Sequence, residues 1–178
     1  PFFINYPSKI SMDKIIIYNR GEYSVEYLGL VDGLMSWDDK RDDKQAYHCL
    51  KELENKCSSS AEVYPFFDTF VEMMDNTNSY IRQGELFDST NGKWDAEYKI
   101  DEIIDKYLQH ILDDKPITAR QCIKALPSIV KYKADLKEDI KNALKCANPY
   151  MYKDNMQSLV FRDIQKSLDA LTIFSEDY

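Results

Sequence analysis

The stretch DDKPITARQCIKAL, residues 113–126, decides how the chain is read, because earlier stretches repeat its core at a fixed interval. Lys44-Gln45, Arg82-Gln83 and Arg120-Gln121 each set a basic residue before glutamine, and successive pairs lie 38 residues apart. Matching small or apolar residues follow each pair: Ala46, Gly84 and Cys122 align, as do Cys49, Phe87 and Ala125. The second and third copies also place an aspartate seven residues before the arginine, Asp75 in DNTNSYIR and Asp113 in DDKPITAR. An interval of this size, held twice, is the signature of stacked structural repeats, none of which buries its apolar face alone.

Around that repeat, apolar residues recur at helical spacing. Tyr27, Leu28, Val31, Leu34 and Met35 predict a helix over 23–36, and Ala46, Cys49, Leu50 and Leu53 one over 43–57, ended by Ser58-Ser59-Ser60. Pro65 suits a first helical turn, and Phe66, Phe67, Phe70, Val71 and Met74 carry that helix to Asp75. Another begins near Ser79. The cleanest amphipathic pattern, Ile100 to Ile111, predicts a helix over 96–112 with Lys115-Pro116 closing the turn after it. Residues 118–131 form a helix that Pro127 should kink by removing a hydrogen bond. Leu136, Ile140, Ala143 and Leu144 mark the next helix, stopped at Asn148-Pro149, and 154–171 is the last, before a tail, SEDY, expected to fray. No segment reads as a strand.

Paired helices opened by an aligned basic residue, with an acidic residue before it, make the chain resemble the HEAT and armadillo-like repeat family. The resemblance, over roughly residues 23–172, implies an all-α fold: a short α-solenoid of about four stacked antiparallel helix pairs. Asp75 with Arg82 and Asp113 with Arg120 are then expected to form a structural ladder between repeats, the alternative being that Arg82 and Arg120 point into the concave groove and bind an anion. The first copy departs from the pattern, with Lys44 in place of arginine and Asp38 shifted by one. One domain is expected over 23–178. Residues 1–22 are read as an N-terminal extension, partly non-native, since Met12 opens a plausible start in MDKIIIY.

Composition agrees with long helices and short turns: 178 residues, 44% hydrophobic and 30% charged, with five Gly and six Pro. No apolar run reaches the roughly 20 residues that cross a bilayer, and no basic-then-apolar leader appears, so the expectation is a soluble, cytoplasmic protein without membrane contact. Four cysteines lack any zinc spacing and are read as reduced thiols, Cys49 and Cys122 as small core hydrophobes. Net charge is -8, but residues 115–153 carry +6 and the rest -14. That asymmetry describes either a solvated face or an end that docks anions.

The middle repeat breaks the apolar pattern, with Asp88 where Leu50 and Leu126 align and Asn91 where Leu53 and Ile129 align. An unpaired buried carboxylate costs several kcal/mol. Asp88 is therefore either rotated to solvent, with Leu86 inward, or part of a polar notch with Ser89 and Asn91 beside Trp94. Trp37 and Trp94 either cap the core or are exposed; exposed on a concave side, Trp94 and Tyr132, 38 residues apart, would make a stacking platform. The resemblance extends loosely to the HEAT-like DNA-alkylation-repair glycosylases, which use concave aromatics with an aspartate, although their basic groove is at odds with a charge of -8. The candidate groove is Asp88, Asn91, Trp94, Lys124, Lys131 and Tyr132. HExxH, GxSxG, Walker and GxGxxG patterns are missing, and His48 and His110, far apart in sequence, are each read as a solvated or hydrogen-bonded helix residue, so no catalytic residue, metal or cofactor is assigned. The function expected is a non-enzymatic scaffold that binds a peptide or protein segment, with a nucleic-acid-interacting protein as the alternative.

Overall fold

A computed structural model describes residues 25–35, 43–75 and 90–173, and every structural statement below concerns these residues. Among them the chain is all-helical, without a strand. The α-helices are α1 (Val25–Met35), α2 (Asp43–Ser59), α3 (Phe67–Met73), α4 (Thr90–Trp94), α5 (Lys99–Gln109), α6 (Pro116–Tyr132), α7 (Lys137–Cys146) and α8 (Asp154–Ile173). Short 3₁₀ turns lead into or out of several of them. Trp37, Asp38, Arg82, Asp88, Ser89, the helix expected from Ser79, residues 1–22 and the SEDY tail lie outside the described residues.

Several helix ends differ from the sequence reading, each for a local reason. Pro65 lies inside a 3₁₀ turn, Ala61–Phe66, that precedes α3, and Ser60 opens this turn by accepting the Glu62 N–H at 3.2 Å. Lys115-Pro116 does not close a turn. Pro116 is the first residue of α6, where its missing N–H has no helical partner to lose. Asp113 sets up that start by accepting the Lys115 N–H at 2.8 Å. Helix α5 begins three residues later than expected, at Lys99, because Asp95 draws residues 95–98 into a separate turn. Helix α6 is one α-helix through Pro127.

Polar contacts give the directions of neighbouring helices. Helices α1 and α2 run oppositely: Glu26 meets Lys56 at 2.6 Å, while Gly33, seven residues on, lies against Cys49. A Cβ on Gly33 would stand 2.5 Å from the Cys49 Sγ, so this crossing requires glycine. Asp68 meets Lys99 at 3.0 Å and Asp75 meets Lys106 at 2.6 Å, which aligns the α3 segment parallel to α5. Asp101 meets Lys133 at 2.8 Å and the Tyr107 carbonyl accepts from Cys122 Sγ at 3.5 Å, so α5 opposes α6. Helices α6 and α8 are parallel: Arg120 pairs with Asp163 at 2.6 Å, and Ser167 Oγ donates to the Ile123 carbonyl at 2.8 Å. Helix α7 packs against both.

Contacts join Cys57 to Trp94, Asp95 to Lys133 and Asp113 to Tyr152, separations of 37, 38 and 39 residues. Among the described residues the buried side chains form an apolar core that includes Leu53, Val63, Phe67, Ile100, Tyr107, Ile123, Leu126 and Ile140. Burying each such side chain contributes about 1.5–3 kcal/mol before conformational entropy is counted. Cys49, Cys57 and Cys122 belong to this core as free thiols, whereas the free Cys146 is exposed.

Candidate functional site

Helix α6 buries Thr118, Ala119, Cys122, Ile123, Ala125, Leu126, Ile129 and Val130. The face left over repeats every seven residues: Ile117, Lys124 and Lys131 are exposed along one line, and Tyr132 is exposed beside its end. Three of the sequence-derived groove residues, Lys124, Lys131 and Tyr132, thus share one solvent-facing stripe. Their partners are neutral. Lys124 donates to Gln121 Oε1 at 3.0 Å, and Lys131 Nζ lies 5.4 Å from the centre of the Tyr132 ring. Helix α4, which carries Asn91, packs on the end of this stripe, with Gly92 so close that an added Cβ would stand 3.1 Å from the Tyr132 Cβ.

Trp94 has a different role from an open stacking platform. Its ring is half-buried, its Nε1 donates to the Cys57 carbonyl at the end of α2 at 3.0 Å, and Lys93 Nζ lies 4.4 Å from its ring centre. The indole therefore braces α4 against α2.

Next to Trp94 is a charge cluster that sequence reasoning missed. Asp95, its carboxylate fully buried, accepts from Tyr64 at 2.6 Å, from the Lys99 and Ile100 N–H groups at 2.9 and 3.1 Å, and from Lys133 Nζ at 2.8 Å. Lys133 also bonds Asp101 at 2.8 Å and is itself 5% exposed, so it leaves the basic run it was counted with. Burial alone would raise the Asp95 pKa, but Lys133, Tyr64 and the two amides hold it below the usual carboxylate value. For Lys133 burial pulls downward and is outweighed by Asp101 and Asp95, so its pKa is raised. Tyr98, the one non-glycine residue with positive φ among those described (60°), sets its ring 4.3 Å from the Lys133 ammonium. A left-handed backbone at such a residue costs about 1–2 kcal/mol, which the ring-to-cation contact helps offset. Two features of the sequence bear on this cluster: Asp95 and Lys133 are 38 residues apart, the spacing of the basic-Gln pairs, and Asp95 precedes an amphipathic run as a helix-capping residue does.

Of the ladder residues, Arg120 ties α6 to Asp163 of α8, and Asp75 pairs with Lys106 of α5. Asp113 holds its own turn, and its carbonyl accepts the Tyr152 hydroxyl at 2.6 Å. Burial, with Asp113 and Asp114 nearby, pushes the Tyr152 pKa up to about 12. His110 Nδ1 lies 3.5 Å from the Asp113 carboxylate, a polar partner within its own turn. Among the described residues no group of His, Cys, Asp and Glu is placed to hold a metal ion, and no helix is long and apolar enough to cross a membrane. The chain matches no protein-family model, no curated protein and no solved structure.

Proposed function

We propose that the chain is a non-enzymatic helical-repeat scaffold, a short HEAT-like α-solenoid of antiparallel helix pairs, that receives a peptide or protein segment in its concave groove, along the exposed stripe of α6. The alternation of directions supports the array. The α3 segment and α5, as first helices, run together; α6 and α8, as second helices, run together; α5 opposes α6. In such a curved stack the second helices line the concave side, which offers an extended binding surface.

The single observation that carries the binding reading is the stripe itself, where exposed Ile117 and Tyr132 bracket two lysines that meet no carboxylate among the described residues. Apolar contact with unpaired like charges is what a complementary, acidic protein surface would satisfy. A polyanion fits less well. Of the nine basic residues between 115 and 153, Lys115, Arg120, Lys133 and Lys141 are already paired with carboxylates, and the whole chain carries -8.

The test is affinity capture from a native cell extract with the wild-type chain and with Lys124→Glu/Lys131→Glu. A protein retained by the first and released by the second supports the proposal. Binding to duplex DNA of any sequence, falling steeply with salt as phosphate contacts do, would replace it with the nucleic-acid reading.

A further inference from the structure

We infer that the segment bound by α6 is acidic and carries an apolar or aromatic anchor that seats beyond the start of that helix, at the opposite end from Trp94. This inference rests on the scaffold reading above and names the chemistry and register of its ligand.

The anchor site is made by two turns that the Tyr152 hydroxyl joins through its bond to the Asp113 carbonyl. One turn presents Leu112 and, at the first turn of α6, Ile117, exposed by 50% and 49%; the other presents Tyr150 and Met151, exposed by 79% and 47%. Single exposed apolar side chains are ordinary, but four large ones carried on two turns that one hydrogen bond joins offer a ligand several apolar contacts at one end of α6. The Trp94 end offers no equivalent, since the indole N–H is committed to Cys57 and Lys93 lies over the ring.

From this patch the stripe runs on to charge. Lys124 and Lys131 follow Ile117 by seven and fourteen residues, about 10 and 21 Å along the helix. A bound segment whose anchor reaches Ile117, where the patch meets the helix, therefore needs carboxylates at those two distances from that contact. In a helical ligand they fall about seven and fourteen residues from the anchor, and in an extended one about three and six. A second copy of this chain is a poorer occupant of the same face, because a two-fold contact through the stripe would bring Lys124 and Lys131 against their own kind. Charge complementarity selects a different, acidic protein segment.

A display library of random 20-residue peptides, selected against the whole chain, tests this directly. Three proteins are compared: wild type, Lys124→Glu/Lys131→Glu, and Tyr150→Ser/Met151→Ser, all at exposed positions and checked for unchanged unfolding midpoints. Selected peptides should share an apolar or aromatic residue with Asp or Glu at those spacings, and should bind both variants at least tenfold more weakly. The charge-reversed protein should select Lys or Arg at the same spacings. Peptides that bind wild type and are indifferent to both substitutions would overturn the assigned register while leaving a scaffold that binds elsewhere. Selection of no peptide from the library would overturn the register and the scaffold reading together.

Discussion

Replacing Lys133 by Met removes the cation from a carboxylate that is fully buried, while leaving the aliphatic stem in place. The Lys133 side chain is 6% exposed and that of Asp95 0%, so neither the lost pair nor the orphaned charge is screened by water. Removing one partner of a buried pair costs about 3–5 kcal/mol, mostly because the remaining charge is stranded. For a chain of this length each kcal/mol lowers the melting temperature by about 2–4 °C, so the variant should melt about 6–20 °C lower.

The deficit should depend on pH in a definite direction. In the wild type Asp95 titrates below its ordinary value of 3.8, so its contribution is complete above 3.8 and disappears as pH falls through the lower folded value. Lys133, held above 10.5, contributes fully below that value and loses its contribution as pH rises through the higher folded value. Without the lysine the folded pKa of Asp95 rises. The variant's deficit is then greatest at neutral pH and narrows on acidification through that raised value. Urea unfolding at several pH values measures this. Adding Asp95→Asn to Lys133→Met should recover part of the loss, since the stranded charge is gone. A single variant within about 0.5 kcal/mol of wild type at neutral pH would refute the buried pair.

Arg120→Ala should destabilise by about 1–3 kcal/mol in denaturant unfolding, because Asp163, 7% exposed, loses its charge-assisted partner; an unchanged midpoint would count against a tie between α6 and α8. Native protein should react with a thiol reagent at Cys146 alone, while Cys49, Cys57 and Cys122 label only after unfolding, which mass spectrometry can follow. The two glycines of α1 should respond oppositely to alanine, as thermal melts can show. Gly29→Ala, with nothing within 4 Å of the new Cβ, should gain about 0.5–1 kcal/mol of helix propensity, whereas Gly33→Ala should lose about 1–3 kcal/mol through overpacking against Cys49.

Much of this architecture is written locally and could be read from the chain. The apolar period of Ile100, Ile104, Tyr107 and Ile111 depends only on residues within one helix, and all four are buried. Residues whose fate depends on a neighbouring helix were less legible. Lys133 looks like any other lysine of a basic run, and only the turn holding Asp95 and the side of α5 bearing Asp101 make it a buried cation. Trp94 illustrates the same limit, because the carbonyl that accepts its N–H belongs to α2, 37 residues earlier. The exposure of Lys124, Lys131 and Tyr132 follows from the periodicity of α6 itself, whose apolar positions are buried. The anchor patch does not, as the Tyr152 bond that joins its two turns spans 39 residues.

The central claim is that a protein ligand covers the exposed stripe of α6. With Cys146→Ser removing the exposed native thiol, a Lys124→Cys variant reports on the middle of that stripe through its rate of thiol labelling. The account predicts rapid labelling of the free protein and strong protection when the captured partner is present at saturation. Labelling at the same rate with and without bound partner would contradict it.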